Sequence, residues 1–244
     1  QMGKFPPDII RALEELLVKF GSRPLIVRSS SQLEDSFGTS FAGKYDSHFC
    51  PNQGSTEENL NALTNAIALT YASTLKPEAL RYRRSIGLQD YAERMSILIQ
   101  AVEGASLGQY LLPYASGVAH SRNIFRWSPQ IKPELGFARI VWGLGTRAVE
   151  RLGDDFPRLV ALSHPTLQPN DSPEAIRRYS QRQVDLIDKE ANALITLPIH
   201  EVLTPDYSAL NLIAQIERDG YFVTLRQRVR SSEIPKLAVN FHEL

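Results

Sequence analysis

Residues 24–43, PLIVRSSSQLEDSFGTSFAG, constrain this chain more than any other stretch. Residues 24–27 are apolar and β-branched, which predicts a short buried strand. Arg28, three serines, Glu34 and Asp35 follow, then a run of Gly38, Thr39, Ser40, Ala42 and Gly43. A strand that delivers an arginine into a small, hydroxyl-rich loop is suited to holding an anion. The guanidinium supplies fixed, permanently charged donors, and the hydroxyls and loop amides supply neutral ones. On residue types alone, a strand followed by a solvated turn explains the stretch somewhat better, so the anion reading needs support from elsewhere in the chain.

The rest of the composition narrows the classes. With 244 residues there is enough chain for a sizeable core or for two lobes. Lys+Arg and Asp+Glu balance at 27 each, whereas a non-specific nucleic-acid binder shows a basic excess. No apolar run approaches the roughly 20 residues that span a bilayer, and no signal-peptide pattern opens the chain. Cys50 is the only cysteine, which excludes an internal disulfide and a CxxC metal site. Neither nucleic acid nor membrane is therefore expected as a partner, and a cytoplasmic location is. Oligomerisation is left open. The chain opens on Gln1-Met2 and stops at Leu244 without a terminating element, so a piece of a longer protein is expected.

Periodicity supplies the elements. Asp8 is the expected N-cap of a helix whose apolar positions run from Ile9 to Phe20, with Gly21 as the stop. Residues 44–49 alternate weakly and suit a second strand returning beside the first. Ser55 and Glu58 have capping-box spacing ahead of Leu60, Leu63, Ile67 and Tyr71. Pro77 opens a short helix carrying Arg81, Tyr82, Arg83 and Arg84; a charge run of this kind is usually a solvated face. Strands are expected at 95–102, within 110–121 with Ser116-Gly117 marking a bulge or close backbone approach, at 137–142 and at 158–163. Ser172-Pro173 is expected to start a polar helix reaching about Glu190. Residues 211–217 and 221–225 flank Arg218-Asp219-Gly220, a hairpin signal. Strands interleaved with helices, with hairpins as well as crossovers, predict an α+β (mixed α/β) fold. The composition shifts near residues 103–108, which suggests a lobe boundary there.

Familiar chemical signatures are mostly missing. GLGTRA at 143–148 matches only the loose form of the dinucleotide fingerprint, and no acidic residue ends a second strand about 20 residues on. There is no P-loop and no GxSxG elbow. The five histidines are dispersed, with no metal spacing.

Five segments in order resemble the nucleotide-binding region of the phosphoenolpyruvate synthase and pyruvate, phosphate dikinase family. They are VRSSSQLEDSFGTSFAGKYDS, ALRYRRSIGL, MSILIQAV, ASGVAHSRN and WGLGTRAV, spread over residues 24–165; beyond Pro165 the likeness is weak. The resemblance implies an ATP-grasp fold, two lobes clasping ATP and Mg²⁺, with 1–102 as the first lobe and 103–244 as the second, each incomplete at its outer end. It implies that Arg28 and Arg83 contact the ATP phosphates, that the strand ending at Gln100 leads to a hinge where the backbone of Ala101 and Val102 faces adenine, and that Ser121 stands where the family has a threonine near the phosphates. In the family, this region phosphorylates a histidine on a separate swivelling domain, and a further domain passes the phosphoryl group to pyruvate. Three departures stand out. The family's lysine-bearing Gly-rich segment is absent, Thr146 replaces the glutamate of GLGE while His120 replaces the aromatic of GVxFT, and the late segment with a metal-binding glutamate is missing. The metal ligands are accordingly expected outside this chain. The departure at Thr146 keeps open a non-catalytic nucleotide sensor or interaction module, and a relative acting on a glucan or an antibiotic also stays open. Glu34 and Asp35 are expected to fix the loop rather than to hold a metal.

Overall fold

A computed structural model of the chain describes residues 4–31, 33–34, 44–88, 90, 94–149, 155–169, 171–204, 206–224 and 236–242. The chain divides into two compact units, Gln1–Glu103 with Ile187–Leu194, and Gly104–Leu186 with Ile195–Leu244.

The first unit starts with helix α1 (Pro7–Phe20). Pro6, not Asp8, holds the N-cap position. Pro7 at the first helical position has no N–H to leave unpaired and a φ already suited to the helix, which moves the start two residues earlier. Asp8 sits in the first turn, where its carboxylate meets the positive end of the helix dipole. Gly21 stops the helix at φ 61°, its N–H donating to the Leu17 carbonyl. Strands β1 (Leu25–Ser31), β2 (His48–Cys50) and β3 (Met95–Ala101) form an antiparallel sheet in the order β2-β1-β3. β2 is shorter than the expected strand at 44–49. Helix α2 (Thr56–Ala72) begins with the expected capping box: the Glu58 N–H donates to Ser55 Oγ at 3.3 Å, and the Ser55 N–H to Glu58 Oε2 at 2.8 Å. Helix α3 (Pro77–Ser85) follows.

Alternation then sorts the sheet's faces. Leu25 and Val27 point into a core with Leu13 and Leu17 of α1 and Leu63, Ala66 and Ile67 of α2, with Ile97 and Ile99 of β3 packed against it. The opposite face carries the exposed residues Arg28 and Ser30 of β1 and Ser96, Leu98 and Gln100 of β3.

The second unit is built from short antiparallel pieces. β4 (Ala105–Leu107) pairs with β5 (Tyr110–Leu112), and β6 (Ser116–His120), β7 (Phe137–Val141) and β8 (Arg158–Ala161) form a sheet with β7 central. The single strand expected within 110–121 is thus two. Gly117 does mark a close backbone approach, because a Cβ there would run into the Arg139 carbonyl on β7. α4 (Thr146–Val149) is a single turn after Gly143-Leu144-Gly145.

The helix expected to reach Glu190 ends at Tyr179: α5 (Pro173–Tyr179) is capped by Ser172, whose Oγ accepts from the Ala175 N–H. Residues 183–188 instead form β9 (Gln183–Asp188), next to β10 (Ala193–Pro198) in the order β10-β9-β5-β4. Val184, Leu186 and Ile187 are fully buried there. A strand covered on both faces reads as a continuous apolar run, without the alternation that would separate it from a helix. After α6 (Ile199–Val202) and α7 (Leu210–Ile213), strands β11 (Ala214–Arg218), β12 (Tyr221–Val223) and β13 (Leu237–Val239) form the last sheet. Asp219 and Gly220 both take positive φ, 49° and 84°, which suits the expected tight hairpin. The core of this unit gathers Trp142, Val184, Leu186, Leu203, Leu210 and Ile213. Among the described residues, no helix is long and apolar enough to cross a membrane.

Candidate nucleotide site

Register brings four of the expected site residues together on the first unit. Arg28 lies opposite Leu98 and Ile26 opposite Gln100, so Arg28 and Gln100 are diagonal neighbours on the exposed face of β1 and β3. Arg28 Nη1 donates to Gln100 Oε1 at 3.4 Å, a long bond that restrains the guanidinium without neutralising it. No carboxylate pairs with Arg28 among the described residues. A cation presented on a sheet face without a counter-charge is chemically ready for an anion.

Backbone direction separates Ala101 from Val102. The Val102 N–H donates to the Pro24 carbonyl at 2.8 Å, so that amide is committed to β1. In an antiparallel pair, alternate residues turn their N–H and C=O to opposite sides. Ala101 therefore turns its own toward the outer edge of β3, which no strand covers among the described residues. A planar heterocycle could hydrogen-bond to the Ala101 backbone there.

Arg83 belongs to the same unit but is placed differently. It sits in the last turn of α3, only 7% exposed, and Nη2 donates to the Thr74 carbonyl at 3.2 Å. Its Nε is buried and has no partner among the described residues. Of the arginine cluster on α3, Arg83 is thus the one that turns inward. Ser121 belongs to the second unit, exposed, directly after β6. The preceding His120 stacks on Phe137 at 4.7 Å between ring centroids.

Part of the loop after β1 is ordered by the residues expected to fix it. Ser29 Oγ donates to Glu34 Oε1 at 3.0 Å, and the Glu34 N–H donates to Ser31 Oγ at 3.3 Å. Asp35 and residues 36–43 lie outside the described residues.

A polar cluster behind the Gly143-Leu144-Gly145 turn was not anticipated. The Leu144 N–H donates to the Asp185 carbonyl at 2.9 Å. Asp185 also accepts from Thr146 Oγ1 at 2.5 Å, from Arg147 Nε at 2.9 Å and from Thr196 Oγ1 at 2.6 Å. Arg147 Nη1 reaches Asp155 at 2.7 Å, and Nη2 reaches Gln183 at 2.9 Å. Burial alone would lower the Arg147 pKa; the hydrogen bonds to Asp185 and Asp155 more than offset it, and the net shift is upward. With Thr146 and Arg147 both donating to it, Asp185 leaves no place for a second carboxylate at position 146. The cluster was hidden because residues 183–188 read as the end of a helix. The short apolar run around Asp185, with Val184 and Ile187 β-branched, is the signal that favours a strand.

Mg²⁺ finds no cradle in this arrangement. No three His, Cys, Asp or Glu side chains gather as a metal site among the described residues, and Asp185 is already occupied by its donors.

The comparisons with known proteins bear on this geometry. The model of the pyruvate phosphate dikinase AMP/ATP-binding domain family matches residues 1–206, well past the point where the motifs fade. Rifampicin phosphotransferase from Streptomyces sviceus is 31% identical over 114 residues, 46% of this chain. The match spans 12% of that protein's length. The family model thus covers most of this chain's length. This chain belongs to the pyruvate phosphate dikinase AMP/ATP-binding domain family.

Proposed function

We propose that this chain is the ATP-binding portion of a phosphoenolpyruvate-synthase-like phosphotransferase. It would work in the cytoplasm, with residues 1–102 and 103–244 as the two ATP-grasp lobes. The parent protein would use Mg-ATP to phosphorylate a histidine on a separate swivelling domain, en route to pyruvate. The observation that carries this reading is the Arg28 guanidinium, held beside Gln100 and without a carboxylate partner among the described residues. Phosphoryl transfer depends on positioning and on neutralising charge far more than on covalent participation by the protein. Arg28 would bind phosphate oxygens, Arg83 would add donors from α3, and Ser121 would offer a hydroxyl. The Ala101 backbone would receive the adenine edge. Bound Mg²⁺ supplies charge neutralisation on the phosphates. Its ligands would lie outside this chain.

The experiment is to incubate the parent protein with γ-labelled Mg-ATP and look for acid-labile, base-stable label on a histidine. Label that appears and is lost in Arg28→Ala supports the enzyme reading. Nucleotide binding without any labelled histidine favours a second reading, a nucleotide-sensing or interaction module on the same scaffold. Thr146 and the saturated Asp185 favour that alternative. The name of the rifampicin relative raises a third acceptor class, an antibiotic. Fold cannot choose among acceptors.

A further inference from the structure

Arg158 is the residue that neither the fold nor the nucleotide reading explains. It is the first residue of β8, opposite Ile140 on β7, and only 9% exposed. Nε and Nη2 are both buried, and neither has a hydrogen-bond partner among the described residues. Burial lowers its pKa, and no carboxylate among the described residues acts against that. A guanidinium does not escape by deprotonating, so a buried one needs an acceptor. Val160 and Ala161, further along the strand, are also buried and apolar.

Other arginines of the second unit show what is missing. Arg147, equally buried, has Asp155, Asp185 and Gln183 around it. Arg177 grips one oxygen of Glu217 with Nε at 2.9 Å and Nη2 at 2.8 Å. Nε and Nη2 form one edge of the guanidinium, the edge that takes a carboxylate or phosphate through two parallel bonds. On Arg158 that same edge meets no acceptor among the described residues.

We propose that Arg158 is the receptor of an oxyanion site in the second unit, taking a phosphate or a carboxylate through Nε and Nη2. Arg158 belongs to the second unit and Arg28 to the first, so the two arginines can be tested separately. Its apolar surroundings strengthen the attraction and favour an anion that presents two coplanar oxygens over a spherical one.

The test follows thermal unfolding in rising inorganic phosphate, acetate or chloride at constant ionic strength. The native protein and Arg28→Ala should both gain several degrees, saturably, from phosphate or acetate and much less from chloride. In Arg158→Met the gain should vanish, and that variant should match or exceed the native protein when no oxyanion is added. Arg158→Lys should bind at least tenfold more weakly, because it keeps the charge but loses the two-nitrogen edge. A response to phosphate alone identifies a phosphate-bearing ligand, and one to acetate alone a carboxylate. An equal response to chloride, or the same response in Arg158→Met as in the native protein, overturns the site. Loss of the response in Arg28→Ala with retention in Arg158→Lys also overturns it, by placing the anion at the nucleotide site. If Arg158→Met does not fold, amide exchange at Leu159–Ala161 decides: slowing by phosphate or acetate in the native protein but not in Arg158→Lys supports the site, and any other pattern overturns it.

Discussion

Arg147 Nε donates to Asp185 Oδ1 at 2.9 Å, and neither residue is more than 8% exposed. This pair ties the turn after β7 to the middle of β9. Replacing one partner of such a pair leaves the other charge buried and poorly compensated, which typically costs about 3–5 kcal/mol. Asp185→Ala should lower the urea midpoint by an amount on that scale, although Asp155 still pairs with Arg147. An unchanged midpoint would show that Asp185 does not anchor the turn.

Thr146 Oγ1 shares the same acceptor. Thr146→Glu would bring a second carboxylate against Asp185 and should cost about 3 kcal/mol, the scale of an uncompensated buried charge. Asp185→Asn in the same chain should recover much of the loss. A double-mutant cycle should show coupling of about 1–3 kcal/mol. Additive effects would mean that the two positions do not interact.

Gly143 has φ 91°, and a Cβ there would meet the Val184 side chain and lie 2.7 Å from the Asp185 carbonyl. Gly143→Ala therefore combines a disfavoured backbone conformation with a clash against β9. The backbone strain alone is of order 1–3 kcal/mol. A crystal structure of the variant should show the turn displaced from β9. An undisturbed turn at native stability would contradict the tight packing.

Cys50 lies in the core of the first unit, and burial pushes its thiol up to about 11. The folded pKa is raised above the ordinary 9.0, so the protonated thiol is the form the fold favours. Its contribution is complete below the unfolded value and is lost as pH rises from about 9 to about 11. A thiol reagent at pH 8 should react at the rate of unfolding, not at the rate of an exposed thiol. Cys50→Ser should flatten the alkaline loss of stability in that window. Rapid labelling of the native protein would contradict the burial.

The first unit was legible because its signals are local. Pro7, the Ser55–Glu58 box and the alternation of residues 25–31 each set their own element. Even the hairpin at Asp219-Gly220 could be read, since two consecutive positive φ values demand those residue types. β9 could not, because whether Asp185 belongs to a helix or a strand depends on what covers it, namely Trp142, Leu203 and their neighbours in the core. The consequence reached the site. Arg28 and Gln100 were placed by their own strands, whereas the role of Thr146 depended on a partner 39 residues away. Arg83 shows a different limit. Helical spacing put it among three exposed-looking charges, and only packing against Thr74 singles it out.

The central claim is that Arg28 holds a nucleotide phosphate, and calorimetric titration of the protein with Mg-ATP tests it most directly. Saturable one-to-one binding is predicted, weakened by roughly tenfold or more in Arg28→Ala, about 1.4 kcal/mol or more for a charged contact on a partly solvated face. Binding of equal affinity in both proteins, or none in the native protein, would contradict it.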